Sequence, residues 1–183
     1  MYGNNHHSIV EFRGVYYLLY HNRPVEKAMG ITGNYRSPQI DVLLVGEDGS
    51  LGPVKGTMAG VSQLMPLDPY QVQSAQTMQR QAGIEVTGYA DTALTVATTG
   101  DWLEVAGAEF SRGAAAFTLC AGSENGGAVR VLAGQTVLCE IALPAGTAMG
   151  MVTVPCASVS GQTNITLVFA GDVTASCWQF AAE

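Results

Sequence analysis

The residues of this chain that could do chemistry fall into four groups: imidazoles, carboxylates, one loop arginine, and thiols with a few surface rings. His6 and His7 stand side by side in Asn4-Asn5-His6-His7-Ser8, with His21 further on. A pair of histidines at a strand edge is either an ordinary turn feature or part of a metal site, and one imidazole without further ligands holds no metal tightly. Asp41, Glu47 and Asp48 are carboxylates in an otherwise apolar stretch, and Arg36 in Tyr35-Arg36-Ser37 is a cation that either faces solvent or meets an anionic or hydroxylated partner. The four cysteines, Cys120, Cys139, Cys156 and Cys177, allow three pairings and show no CxxC spacing of a zinc site. Tyr89 lies in a loop and could present an apolar face to a ligand, while Asn125 and Gln162 are loop amides able to bond hydroxyls. Trp102 and Trp178 sit within strand patterns and are expected in the core. Asn164-Ile165-Thr166 matches a glycosylation sequon but opens a strand, where it reads as chance.

The elements that must position these groups are strands. Of the 183 residues, 48% are hydrophobic and only 13% charged, with 22 glycines and few long helix-forming runs, which predicts an all-β chain. Ser8 to Phe12 and Val15 to Tyr20 are apolar or aromatic runs divided by Arg13-Gly14, a hairpin signal. Ile40 to Val45 follows after a loop, and Glu47-Asp48-Gly49 marks a turn, so the first part reads as an antiparallel meander, short of core by itself. Gly60 to Tyr70, with Pro66 and Pro69, reads as a linker. Beyond it strands recur at short intervals: Leu94 to Ala97, Trp102 to Ala106, Ala115 to Ala121, Ala128 to Leu132, Thr136 to Leu143, Met151 to Val154, Ile165 to Ala170 and Cys177 to Phe180. Such spacing predicts a β-sandwich of jelly-roll type.

The net charge of −7 leaves no basic stripe, which argues against nucleic acid and anionic membrane as partners and favours a neutral ligand such as a polysaccharide. No apolar run approaches the roughly 18 residues of a spanning helix, and the start lacks a basic segment followed by an apolar one.

Residues 4 to about 66 resemble the closing segment of glycoside hydrolase family 43, through Asn4-Asn5-His6-His7-Ser8, Tyr20-His21-Asn22-Arg23, Tyr35-Arg36-Ser37, Asp41 and Glu47-Asp48-Gly49-Ser50-Leu51. The resemblance implies an incomplete β-propeller, its last blade, with the motif beginning three residues from the start as though the chain were a C-terminal piece of a longer enzyme. Family members place an acid and a base on different blades, about 6.5–9.5 Å apart for inversion. Their counterparts would lie upstream, so no catalytic residue is expected here. By the same resemblance His6 corresponds to a histidine near a calcium ion or water cluster on the propeller axis, a role it could have only in an intact propeller. Arg36 corresponds to an arginine near a sugar subsite.

Residues 67–183 resemble carbohydrate-binding module family 6, through Gln73-Ser74-Ala75-Gln76-Thr77-Met78, Gly83-Ile84-Glu85, Thr99-Gly100-Asp101-Trp102-Leu103, Phe110, Phe117, Leu167-Val168-Phe169 and Trp178-Gln179-Phe180. The two rings that clasp a sugar in that family correspond to Val96 and to a position near Met149, in the loop Ala145 to Gly150, and neither is aromatic here. The family's calcium carboxylates correspond to Ser74, Gln76 and Ser176, so no cofactor is expected in this chain. Cys139 and Cys156 match the spacing of a cysteine pair in some relatives and are the disulfide the resemblance prefers. Taken together, the resemblances imply a C-terminal fragment of an arabinoxylan- or xylan-acting glycosidase, inactive alone. Its partners would be an upstream catalytic domain and plant cell-wall polysaccharide, bound weakly or no longer, and the parent would be secreted. The alternative is a degenerate sandwich module with a structural or weak sugar-binding role.

Overall fold

The computed structural model of the chain describes residues 6–23, 27, 30, 32–33, 37–57 and 59–183. It contains two compact units, Met1–Gln63 and Leu64–Glu183.

The first unit is a three-stranded antiparallel sheet of β1 (His7–Phe12), β2 (Val15–Asn22) and β3 (Ser37–Leu43), in that order. The β1–β2 turn is tight because both central residues take positive φ, Arg13 at 53° and Gly14 at 77°. That pair of angles matches the right-handed twist of the flanking strands. The Glu47-Asp48-Gly49 signal also holds. Val45 and Leu51 pair across it, Gly49 takes φ 79°, and the Asp48 carboxylate accepts the Ser50 N–H at 3.0 Å. Among the described residues of this unit only Tyr17, Asp41 and Leu43 are buried, whereas Ile9, Val10, Phe12, Leu19, Val42 and Leu44 are exposed. A sheet of this size with so little interior lies at the margin of independent stability.

The second unit is a jelly-roll sandwich built from β4 (Gln73–Ser74), β5 (Arg80–Ala82), β6 (Glu85–Thr87), β7 (Leu94–Ala97), β8 (Trp102–Phe110), β9 (Ala116–Ser123), β10 (Gly127–Ala133), β11 (Thr136–Leu143), β12 (Thr147–Pro155), β13 (Gly161–Gly171) and β14 (Val173–Ala181). One sheet runs β11-β10-β13-β8-β5. The other runs β12-β9-β14-β7-β6, with β4 also pairing β14. Alternate residues of the long strands point inward. Leu103, Val105, Val129, Val131, Ile165, Leu167 and Phe169 of one sheet and Phe117, Leu119, Trp178 and Phe180 of the other are at most 2% exposed. Each such side chain contributes about 1.5–3 kcal/mol relative to an exposed position. The rings add directional contacts: Phe110 meets Phe180 edge-on at 5.0 Å, and Trp178 meets Phe180 at 6.0 Å. Trp178 is therefore core, as its strand pattern predicts, and Trp102 at the start of β8 is half-buried.

The linker reading of Gly60 to Tyr70 is corrected in its second half. Leu67 pairs in parallel with Ala108, its N–H donating to the Gly107 carbonyl and its carbonyl accepting the Glu109 N–H, both at 2.9 Å. The Phe180 N–H donates to the Pro69 carbonyl, and Tyr70 is buried. The two prolines that suggested a loose segment lack only N–H donors, and these pairings use the N–H of Leu67 and the carbonyls of Leu67 and Pro69.

The preferred disulfide is also corrected: all four cysteines, Cys139 and Cys156 included, are free thiols. Burial, with the neighbouring Cys156 adding to it, pushes the Cys139 thiol up to about 12, and burial together with Glu183 pushes Cys156 up. Little thiolate forms on either at neutral pH, and the thiolate is the reacting species.

Candidate functional site

In the first unit the chemistry-bearing residues converge on Asp41. Register sets Asp41 opposite Leu18, on the strand beside Tyr20, and the segment after the Val45–Leu51 bridge brings Thr57 over it. The Tyr20 hydroxyl donates to Asp41 Oδ2 at 2.5 Å, the Thr57 hydroxyl to Oδ1 at 2.6 Å, and the Thr57 N–H to Oδ2 at 3.1 Å. Burial works against the charged carboxylate, but the bonds from Thr57 and Tyr20 outweigh it and hold the Asp41 pKa below its ordinary value. Tyr20 responds in the opposite sense: burial, then the bond and charge of Asp41, raise its phenol to about 12. Gly56 is needed beside this cluster, because a Cβ there would stand 2.6 Å from the Tyr20 hydroxyl.

A carboxylate that accepts three hydrogen bonds and is held ionised is a poor proton donor, and its lone pairs are already engaged. Asp41 thus ties β2, β3 and the Thr57 segment together. Beside it opens a groove of about 400 Å³ lined in part by Ile9, Leu18, Tyr20, Leu43, Leu51 and Val54. Asp48 is exposed and bonded to Ser50 within its own turn.

His6 is exposed, its ring edge-on to His21 at 5.2 Å, and its backbone N–H donates to His21 Nε2 at 3.2 Å. Among the described residues no three His, Cys, Asp or Glu side chains gather as metal ligands. Arg36 lies outside the described residues.

In the sandwich, Tyr89 is 87% exposed and precedes a single 3-10 turn, Ala90–Thr92. Its carbonyl accepts the Thr92 hydroxyl at 2.8 Å, so the backbone is fixed while the ring stands in solvent. Val96 sits mid-strand in β7, between Glu85 of β6 and Thr174 of β14, and Met149 is exposed in β12. The Asn125 amide donates to the Asp172 carboxylate at 3.3 Å, which takes one of its donors out of use.

Ser74, Gln76 and Ser176 do come together. The Ala75 N–H donates to the Ser176 carbonyl at 2.9 Å, the Ser74 hydroxyl bonds the Gln76 amide oxygen, and the Gln76 amide donates to Thr95 Oγ1 at 3.2 Å. These neutral groups satisfy one another. Calcium is held by oxygen ligands among which carboxylates carry the charge, so this donor set does not fit the ion.

Tyr70 is the anchoring residue that the sequence reading passed over. Its hydroxyl donates to the Gly113 carbonyl at 2.8 Å and accepts the Arg112 N–H at 2.9 Å, while the Arg112 guanidinium lies 4.2 Å from the ring centre. Pro66-Leu67-Asp68-Pro69-Tyr70 offered one cue, an aromatic residue closing a proline-bounded segment.

Comparison with known proteins bears on both units at once. An arabinoxylan arabinofuranohydrolase from Paenibacillus polymyxa is 34% identical over 198 aligned positions, covering 97% of this chain and 31% of that enzyme. The crystal structure of a glycoside hydrolase family 43 arabinoxylan arabinofuranohydrolase from Bacillus subtilis, in complex with cellotetraose, superposes with a TM-score of 0.87 at 29% identity. That superposition covers 99% of this chain and 41% of the enzyme. A family 6 carbohydrate-binding module from Clostridium cellulolyticum, in complex with xylose, matches with a TM-score of 0.58 at 17% identity, over 63% of this chain and 99% of the module, a likeness of fold. No protein-family model matches the chain. The chain spans about a third of the length of the P. polymyxa relative.

Proposed function

Because the chain is homologous to glycoside hydrolase family 43 arabinoxylan arabinofuranohydrolases and carries a sandwich with the fold of family 6 carbohydrate-binding modules, we propose that it is the C-terminal, non-catalytic part of a glycosidase acting on arabinoxylan-type plant polysaccharide. The observation that carries this reading is the match across 97% of the chain to 31% of an arabinoxylan arabinofuranohydrolase. The proposed partners are an upstream catalytic domain and the polysaccharide itself, and the proposed place of action is outside the cell, where that polymer lies.

The chemistry of the first unit supports a positioning role. Glycoside hydrolysis needs two carboxyl groups with opposed protonation across a sugar. Asp41 is held ionised by Tyr20 and Thr57, and Asp48 is committed to its turn. In the proposed assembly the exposed apolar side chains of β1, such as Ile9, Val10 and Phe12, meet the rest of a propeller, which supplies the acid and base. His6 and Arg36 are assigned there to the metal-proximal and sugar-proximal positions of that propeller, and Tyr89 offers the sandwich a face for a pyranose.

The test is release of nitrophenol from arabinofuranosyl and xylosyl nitrophenyl glycosides by the purified chain, which is expected to stay at the level of the blank. Turnover that vanished in Asp41→Asn or Asp48→Asn would refute the assignment.

A second reading, a degenerate module with a structural role, is favoured by Val96 and Met149, which cannot stack on a sugar as rings do. Migration in native gels containing soluble arabinoxylan separates the two. Retardation that Tyr89→Ala abolishes favours sugar binding, and unretarded migration favours the structural role.

A further inference from the structure

Cys120 and Cys177 lie on neighbouring strands of the six-stranded sheet, and the register between β9 and β14 sets them directly opposite each other. The register owes this to a bulge. Pairing shifts between Ala175 and Cys177, so that Ser176 has no partner on β9. The burial pattern records the same event: Ala175 and Trp178 are buried, with two consecutive half-buried residues, Ser176 and Cys177, between them. A regular strand would have sent either Ala175 or Trp178 outward; the extra residue keeps both inside and leaves Cys177 on the outer face. Cys120 alternates with buried Leu119 and Ala121 and so points to that same outer face.

Directly opposed residues of an antiparallel pair have Cα atoms about 4.5–5.5 Å apart, inside the range of about 4.4–6.8 Å that a disulfide spans. The pair is flanked by Met151 of β12, opposite Cys120, and by Ser74 of β4, opposite Cys177. Both thiols are half-buried, and neither belongs to the core cluster. Cys139 and Cys156, by contrast, do pack in or against that core, on the other side of the sheet. Three pairings are open to four cysteines, but a bridge from Cys120 or Cys177 to Cys139 would have to run through the layer of buried side chains between facing sheets, which stack about 10 Å apart.

We propose that Cys120 and Cys177 form a redox-active cross-strand pair on the open face of the sandwich, closing to a disulfide in exchange with a small-molecule disulfide. The thiolate of one cysteine attacks the small disulfide, forming a mixed disulfide and releasing one small thiol. The second cysteine attacks the protein sulfur of that mixed disulfide, forming the Cys120–Cys177 bond and releasing the second small thiol. Two protein thiols are oxidised, one small disulfide is reduced to two thiols, and the two protons leave on those thiols. The bond staples β9 to β14 at the bulge without moving either strand. Cys139 and Cys156, the pair that the resemblance prefers, are raised by burial and offer little thiolate to compete in this exchange.

The experiment uses the full chain, reduced and then incubated under native conditions with excess oxidised glutathione. Remaining thiols are alkylated, and the protein is cleaved after Lys and Arg and before Asp. Cleavage after Arg112 and Arg130 and before Asp172 places Cys120 in peptide 113–130, Cys139 and Cys156 in 131–171, and Cys177 in 172–183, so wild-type protein reports its own connectivity. The expected result is peptide 113–130 joined to 172–183 within one chain, with a loss of about 2 Da for the two hydrogens removed. In the Cys177→Ser control, Cys120 is expected to stop at the glutathione adduct. Stable adducts on both Cys120 and Cys177, a link from either to 131–171, a link between two chains, or thiols that stay unreacted until the protein is unfolded in urea would each overturn the proposal.

Discussion

Tyr70→Phe isolates what holds the segment before the sandwich in place. The substitution keeps the buried ring and the Arg112 guanidinium 4.2 Å from it, and removes only the hydroxyl that links the Gly113 carbonyl and the Arg112 N–H. Each neutral hydrogen bond contributes about 0.5–1.5 kcal/mol net, so losing both costs about 1–3 kcal/mol. The upper half of that range applies if water does not reach the two backbone groups. Tyr70→Ala adds the loss of a buried aromatic ring, a class of change that costs about 3–5 kcal/mol. Urea unfolding followed by tryptophan fluorescence reads the sandwich selectively, because both tryptophans, Trp102 and Trp178, lie in it. The midpoint should fall for Phe and fall further for Ala, with the slope, which tracks the surface exposed on unfolding, unchanged. If Tyr70→Phe cost less than about 0.5 kcal/mol, the hydroxyl would not be the anchor, and if Tyr70→Ala cost as little, the segment would behave as the free linker its prolines suggest.

Stability of the first unit should depend on pH through Asp41. Its folded pKa lies below its unfolded value, so the contribution is present above the ordinary aspartate range and is lost as pH falls through the depressed value. Protection of the β2–β3 amides, taken relative to the intrinsic exchange rate at each pH, should fall on acidification, and Asp41→Asn should be less protected at neutral pH by about 1–3 kcal/mol and lose the acid dependence. Equal protection in both proteins across that interval would count against the cluster. Gly56→Ala should act on the same site from outside, because a Cβ 2.6 Å from the Tyr20 hydroxyl forces that hydroxyl off Asp41. Carbon NMR titration of the Asp41 carboxyl should then show its pKa moving up towards the usual aspartate value, and an unchanged titration would contradict the contact.

Much of the fold could be read in the sequence. Thr136 to Leu143 is observed as β11 with those same limits, and the Arg13-Gly14 and Glu47-Asp48-Gly49 turns form where their residue types place them. The reason is local: alternation of apolar and polar side chains records which face of a strand is buried, and a positive φ restricts the residue types that can supply it. The short strands β4, β5 and β6 were not legible, since their residues, such as Arg80-Gln81-Ala82, carry no alternation and are strands only because β8, β7 and β14 offer them partners.

At the sites the division is sharper. Sequence alone determined that Ser74, Gln76 and Ser176 carry no carboxylate and that Val96 and Met149 carry no ring, because charge and π surface are properties of the residue itself. Only tertiary structure decided that Asp41 is held ionised, that Tyr70 locks a proline-bounded segment, and that Cys120 rather than Cys139 faces Cys177. Those outcomes depend on strand register and on one bulged residue, and a shift of a single position in a strand exchanges the inner face for the outer.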